Sequence, residues 1–243
     1  MKEVNYRVEA NRSIARNVYE LRLSGDTGAI TAPGQFVNLL IDGCYLRRPL
    51  SVCDAEDGKL TLIYKVVGKG TEILSRMPQG SIINTLAGLG NGFDISRAGD
   101  RPLLIGGGVG VPPMYKLCRE LIAAGASPAV VLGFNTAADV FYREEFEALG
   151  VPVYVATADG SVGIKGFVTD AVRELTYSYF YACGPEAMFR ALEQVVRTPG
   201  EYSFEERMGC GFGACMGCSC KTKYGSKRIC KEGPVLRREE VIW

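Results

Sequence analysis

Five of the chain's nine cysteines fall between residues 210 and 230, and this run constrains the fold more than any other feature. It reads Cys210-Gly-Phe-Gly-Ala-Cys215-Met-Gly-Cys218-Ser-Cys220, with Cys230 following. The surrounding tail is rich in glycine and cysteine and shows no apolar period. A segment of that kind buries little core of its own, and metal coordination is what holds such segments together. Clustered thiols in a reducing compartment read as a metal or redox site rather than a disulfide framework. The spacing C-x4-C-x2-C with one distant cysteine is that of plant-type [2Fe–2S] sites. It singles out Cys210, Cys215, Cys218 and Cys230 as ligands and leaves Cys220 outside the set. Thiolates are the soft, strongly donating ligands that iron–sulfur units take. Gly209, Gly211, Gly213 and Gly217 let a short loop curl tightly enough to present three of them. The alternative is a zinc ion with four thiolates. Zinc sites use close cysteine pairs, and here only Cys215 and Cys218 form a clean one.

Histidine is absent from the chain. That excludes histidine general bases, histidine-bound metals and Rieske-type clusters, so any proton chemistry falls to other groups or to a cofactor. The 28 basic and 27 acidic residues leave a net charge of +1, with no basic run to suggest nucleic acid. The longest apolar stretches, such as Pro102 to Ile105 and Ala129 to Gly133, are strand-sized. None approaches the roughly 20 residues of a membrane helix. The polar opening Met1-Lys2-Glu3-Val4-Asn5 carries no secretory pattern, so the expected location is the cytoplasm.

The patterning changes twice along the chain. Residues 1–98 read as β: Val4 to Val8, Val18 to Leu23, Phe36 to Ile41 and Leu60 to Val67 are strand-like, separated by turn signals such as Ala32-Pro33-Gly34 and Asp57-Gly58. Short strands at this spacing predict a small antiparallel barrel. One helix is expected at Thr71 to Met77, with Thr71 as its cap. Residues 99–200 alternate strand and helix: Pro102 to Ile105, Pro112 to Ala124, Ala129 to Gly133, Phe141 to Leu149, Val151 to Thr157, Val168 to Leu175, Tyr179 to Cys183 and Pro185 to Arg197. That order predicts a parallel α/β domain. Residues 201–243 form the cysteine-rich third unit.

Three further motifs carry chemistry. Leu103 to Met114 runs strand, glycine turn and helix, with Gly106, Gly107, Gly108 and Gly110 in the turn and Pro112-Pro113 opening the helix. Dinucleotide sites use this order, because glycine lets the backbone approach a pyrophosphate. The pattern is not G-x-G-x-x-G, and a tight turn without ligand explains the glycines equally well. Cys183-Gly184-Pro185 ends a second strand and starts a second helix, which makes a nicotinamide pocket at the two turns plausible; a small buried thiol is the other account of Cys183. Arg48-Pro49-Leu50-Ser51 follows a strand in the first unit. Its guanidinium suits a phosphate fork and its serine a further hydrogen bond, although taken alone Arg47 and Arg48 read as a solvated pair.

Together these motifs, over almost the whole chain, resemble the electron-transfer subunits of type B dihydroorotate dehydrogenase, within the ferredoxin-reductase-like flavoproteins. The resemblance implies an FAD-binding antiparallel β-barrel, a parallel α/β NAD-binding domain and a small C-terminal [2Fe–2S] domain. It implies that Arg48, Pro49, Leu50 and Ser51, with Ile63, Tyr64, Lys65, Gly70 and Thr71, contact FAD. It assigns NAD, as substrate, to the Gly106–Pro113 turn, with Gly107, Gly108 and Gly110, and to Cys183, Gly184 and Pro185. Glu206 to Cys218 matches the family's cluster loop, and Ile229 to Leu236 its return strand, where the family more often has Asp in place of Glu232. The implied function is passage of electrons from an FMN-containing dihydroorotate dehydrogenase catalytic subunit, through [2Fe–2S] and FAD, to NAD⁺ in pyrimidine biosynthesis, in a heterotetramer of two subunits of each kind. The competing assignment is a flavin and iron–sulfur reductase subunit of a different NAD(P)H oxidoreductase complex; Cys210 and the intact cluster loop weigh against it.

Overall fold

The structure, a computed structural model, describes residues 1–243. Six strands close into an antiparallel barrel: β1 (Lys2–Ala15), β2 (Val18–Ser24), β3 (Phe36–Leu39), β4 (Arg48–Glu56), β5 (Lys59–Lys65) and β6 (Ile82–Leu89), in the order β1-β2-β5-β4-β3-β6. Alternation drives it: in β1, Val4, Tyr6 and Val8 are buried while Lys2, Glu3, Asn5 and Arg7 are exposed. Helix α1 (Lys69–Ser75) lies between β5 and β6. It starts two residues before the expected Thr71, which sits in its first turn instead of capping it from outside. The Thr71 hydroxyl accepts from the N–H groups of Val67 (3.0 Å) and Gly68 (3.2 Å), so it still ties down the entry to the helix.

A seven-stranded sheet follows. Its strands are β7 (Leu103–Gly107), β8 (Ala129–Phe134), β9 (Val153–Thr157), β10 (Ile164–Lys165), β11 (Phe180–Cys183), β12 (Gly200–Ser203) and, across a long gap, β15 (Val235–Arg237). The spatial order is β10-β9-β8-β7-β11-β12-β15; all neighbours are parallel except the last pair. Helices α2 (Pro112–Ala123), α3 (Arg143–Glu147), α4 (Val168–Val172) and α5 (Glu186–Glu193) connect them. Helix α2 opens on two prolines, whose missing N–H groups have no intrahelical partner there in any case. It buries Met114, Leu117, Cys118 and Leu121, one face at helical spacing. The chain builds outward from β7 to β10 and then returns to the other side of β7, so β7 and β11 flank a switch in strand order. In open parallel sheets the ligand crevice lies at the carboxyl ends of such strands.

The barrel and sheet share a core. Val18, Cys53 and Ile63 of the barrel pack with Met114, Leu117 and Leu121 of α2. Arg119 on α2 spans the seam, with 2.7–2.9 Å contacts to Asp54 and a 2.6 Å contact to Glu56. The segment 201–243 holds a two-stranded hairpin, β13 (Ser219–Thr222) and β14 (Gly225–Arg228). It is better anchored than its composition predicts. Residues 201–203 and 235–237 are strands of the large sheet, and Cys218, Ile229 and Cys230 join a buried cluster with Phe36, Leu89 and Leu236.

Candidate functional site

The four expected ligand cysteines lie in two pairs. The Ala214 and Cys215 N–H groups point at Cys210 Sγ (3.2 and 3.4 Å), and the Cys210 N–H points at Cys215 Sγ (3.4 Å). The Cys230 N–H points at Cys218 Sγ (3.4 Å). The loop that makes this possible reverses at Gly211 and Gly213, with φ of +79° and +93°. Cys218 and Cys230 are buried, Cys210 is half-buried and Cys215 is exposed, so one pair faces the interior and the other faces out. Two pairs of thiolates fit a unit of two irons that divides four ligands between them. Burial works against a charged Cys210, but the N–H groups of Cys215, Phe212 and Ala214 outweigh it and bring its thiol down to about 6. Burial and the neighbouring Cys218 push the Cys230 thiol up. Cys220 lies on β13 opposite Lys227 and belongs to neither pair.

Three side chains other than the cysteines hold this loop and its return segment. Asn38 on β3 donates through Nδ2 to the Cys210 carbonyl at 3.2 Å. Asn91, just after β6, donates to the carbonyls of Glu232 (3.2 Å) and Val235 (2.8 Å) and accepts the Val235 N–H (2.9 Å). Arg228 donates to the Gly213 carbonyl at 2.7 Å and pairs with Glu232. That pairing holds the Glu232 carboxyl down at about 2.

Of the expected flavin residues, Arg48 meets Gly70, and Pro49 is the strand partner of Asn38, which binds the cluster loop. Arg48, Pro49, Leu50 and Ser51 open β4 and are half-buried, with Pro49 directly opposite Asn38. The Arg48 guanidinium lies over Gly70 so closely that any side chain on Gly70 would displace it. Ile63, Tyr64 and Lys65 end β5. The Tyr64 side chain is buried in the barrel, where its ring stacks on Tyr19 at 5.7 Å and its hydroxyl donates to Asn11 Oδ1. Lys65 is exposed and borders a cavity of about 280 Å³ with Arg16, Asn17, Asn135, Thr136 and Asp139, at the carboxyl end of β8. The donor set fits FAD in two respects. Arg48 offers a fork suited to phosphate. Asn38 Oδ1 is buried beside Pro49 with no hydrogen-bond partner, an acceptor that an N–H of a bound ring would satisfy.

The expected nicotinamide residues converge at the carboxyl ends of β7 and β11. A methyl group on Gly110 would collide with the Cys183 carbonyl and stand 2.6 Å from the Gly184 nitrogen, so this glycine permits the two turns to touch. Gly107 is likewise hemmed in, 2.6 Å from Met188 Sδ and 3.4 Å from Pro185 on the same measure. Gly108 differs: its φ is +53° and nothing lies within 4 Å of where a Cβ would be. An open backbone at the crevice is what a pyrophosphate needs. Burial pushes the Cys183 thiol up to about 12, so it sits there uncharged. Arg143, the first residue of α3, is engaged by Glu147 at 2.8 Å.

Asn38, Asn91, Arg228 and Glu232 were not singled out for a role in the sequence. Asn91 sits in Gly90-Asn91-Gly92, which reads only as a turn. The partners of Asn38 and Asn91 lie up to 172 residues away, beyond any local pattern, whereas Arg228 and Glu232 are four residues apart.

The chain is similar to known proteins over its whole length. Residues 205–242 match the model of the iron–sulfur cluster binding domain of dihydroorotate dehydrogenase B, and residues 104–194 that of the oxidoreductase NAD-binding domain. The chain is 45% identical over 256 residues to the electron transfer subunit of dihydroorotate dehydrogenase B (NAD⁺) from Geobacillus sp. (strain WCH70), covering 100% of this chain and 99% of that one. The subunit of the same name from Bacillus caldolyticus is 46% identical, over 97% and 96% of the two chains. Among solved structures, a chain of NADH-dependent reduced ferredoxin–NADP oxidoreductase, studied for flavin-based electron bifurcation, superposes with a TM-score of 0.88 at 32% identity, over 98% of this chain and 90% of that one.

Proposed function

This chain belongs to the family of electron-transfer subunits of NAD-linked dihydroorotate dehydrogenase B, and from that premise we propose that it carries electrons from a catalytic partner subunit to NAD⁺ in pyrimidine biosynthesis. When bound, a [2Fe–2S] cluster supplies one-electron transfer, and FAD links it to hydride transfer with NAD⁺. Cys210, Cys215, Cys218 and Cys230 are the cluster ligands in this reading. Arg48 holds the FAD phosphates, while Pro49, Leu50, Ser51, Ile63, Tyr64, Lys65, Gly70 and Thr71 line the rest of that site. Gly107, Gly108 and Gly110, with Cys183, Gly184 and Pro185, receive NAD⁺. The units 1–98, 99–200 and 201–243 then take FAD, NAD and the cluster in turn. The partner contains FMN and oxidises dihydroorotate, two of each subunit assemble, and the complex works in the cytoplasm, where thiols stay reduced. No helix is long and apolar enough to cross a membrane.

One observation carries the reading. Asn38, the strand partner of Pro49, donates to the Cys210 carbonyl and so ties the cluster loop to the strand beside the flavin motif. The outward Cys215 then faces a partner while the flavin motif lies behind it. The purified chain is expected to reduce an artificial acceptor with NADH and to leave dihydroorotate untouched until the catalytic subunit is added. Dihydroorotate turnover by the chain alone would end the two-subunit account.

A further inference from the structure

Arg228 and Glu232 ligate nothing, yet they control a peptide that faces a cluster ligand. Arg228 Nη1 donates to the Gly213 carbonyl at 2.7 Å. The same peptide unit carries the Ala214 N–H, which makes the shortest N–H···S contact in the site, 3.2 Å to Cys210 Sγ. In a trans peptide the C=O and N–H point in opposite directions. Fixing the oxygen therefore aims the hydrogen. Arg228 is itself fixed: its Nε donates to Glu232 Oε2 at 2.9 Å, its Nη2 to Oε1, and its backbone N–H to Oε2 at 2.8 Å. Gly213, at φ +93°, leaves no room for a side chain, since a methyl group there would stand 2.7 Å from Lys231 Cδ.

We propose that Arg228, anchored by Glu232, is a positioning residue that raises the reduction potential of the cluster by aiming and polarising the Gly213–Ala214 peptide at Cys210. This rests on the reading of Cys210 as a ligand. One electron entering the cluster adds one negative charge, part of which falls on the ligand sulfurs. An N–H aimed at such a sulfur stabilises the reduced form more than the oxidised one. A cation on the carbonyl oxygen of that peptide draws density from its nitrogen and makes the N–H a stronger donor. The pair it serves, Cys210 and Cys215, is the outward one, where water would otherwise compete for the sulfur.

The test uses the full chain with cluster and flavin, in a mediated redox titration followed by the electron paramagnetic resonance signal of the reduced cluster, with iron content measured alongside. Glu232→Gln separates aiming from simple charge. Removing a nearby negative charge raises a potential, whereas releasing Arg228 lowers it. The expected result is a roughly tenfold fall in the equilibrium constant for cluster reduction, about 59 mV for one electron, with Arg228→Met falling at least as far. Glu232→Asp, which keeps the carboxylate, recovers most of the loss. An unchanged or raised potential in Glu232→Gln at full iron content overturns the proposal. Should Arg228→Met fail to hold iron, the Glu232→Gln and Glu232→Asp pair decides alone. An unaltered resonance signal in Cys210→Ser would instead remove the ligand reading beneath it.

Discussion

Replacing Asn91 with alanine measures how firmly the return segment is tied to the barrel. Asn91 makes three side-chain hydrogen bonds there, to the carbonyls of Glu232 and Val235 and from the Val235 N–H. Its own N–H to the Gly233 carbonyl, at 2.6 Å, survives the change. A net hydrogen bond is worth about 1 kcal/mol, and a buried polar group left unpaired costs about 1–3 kcal/mol. Asn91 and Val235 both border a polar cavity of about 320 Å³, from which water reaches the freed groups. The lower value therefore applies, and the three bonds together amount to about 3 kcal/mol. That corresponds to a roughly 100-fold rise in local opening. Hydrogen exchange at Val235 and the rate of iron release to a chelator read it directly. Asn91→Asp keeps the acceptor for the Val235 N–H but loses both donors, and is expected to fall between wild type and alanine. Asn91→Ala with wild-type exchange at Val235 and wild-type iron retention would show that these bonds do not hold the segment.

Cys210→Ser, Cys215→Ser, Cys218→Ser and Cys230→Ser are each expected to abolish the iron–sulfur absorbance, while Cys220→Ser keeps it; a colourless Cys220→Ser protein would contradict the ligand set. Gly110→Ala drives a methyl into the Cys183 carbonyl. At about 1–3 kcal/mol for such overpacking, NADH titration should show affinity weakened about tenfold or more with cluster and flavin spectra unchanged; wild-type affinity would free Gly110 of its packing role. Glu201 on β12 is 2% exposed, and burial raises its carboxyl to about 7 from 4.5. The folded chain thus holds a proton that the unfolded chain has lost between those values. The contribution of Glu201 to stability is fully present below about 4.5, falls as pH rises towards 7 and then levels off, by roughly 3 kcal/mol in all. Urea unfolding of wild type and Glu201→Gln at pH 5, 6 and 8 checks this, since the variant should lose the slope; a parallel slope in both proteins would assign it elsewhere.

What was legible in the sequence was what is local in the chain. Ligand spacing from Cys210 to Cys218, the strand–glycine–helix order at Leu103 to Met114 and the shift from period two to strand–helix alternation near Asp100 each fit within a few residues, and the last two match the fold. β4 and β6 were missed in the sequence. Arg48, Asp54 and Glu56 interrupt the apolar alternation of β4 because Arg48 lies over Gly70 and Asp54 and Glu56 face Arg119 rather than the barrel core. In β6, Asn84 is turned outward to pair with Arg47 and Glu3. β12 and β15 are four and three residues long, and their pairing brings together positions far apart in the chain. No period of either type fits in so few residues. The holding side chains, Asn38 and Asn91, are ordinary polar residues whose meaning lies wholly in partners 172 and 144 positions away.

The pairing of β12 with β15 has a consequence for how this protein is put together. Glu201, Tyr202 and Ser203 lie opposite Arg237, Leu236 and Val235, so everything in 204–234 is an excursion whose two ends are already joined by the sheet. The entropy of closing that loop is met by main-chain pairing rather than by iron. A crosslink inside a loop that is already closed removes far less chain freedom than one made in an open chain. The chain without its cluster should therefore be a folded recipient with a loosened rim, unlike small metal-dependent domains that are unfolded until they bind. A cluster lost to oxidation could then be rebuilt in place, with the barrel, the sheet and the sites they form standing throughout.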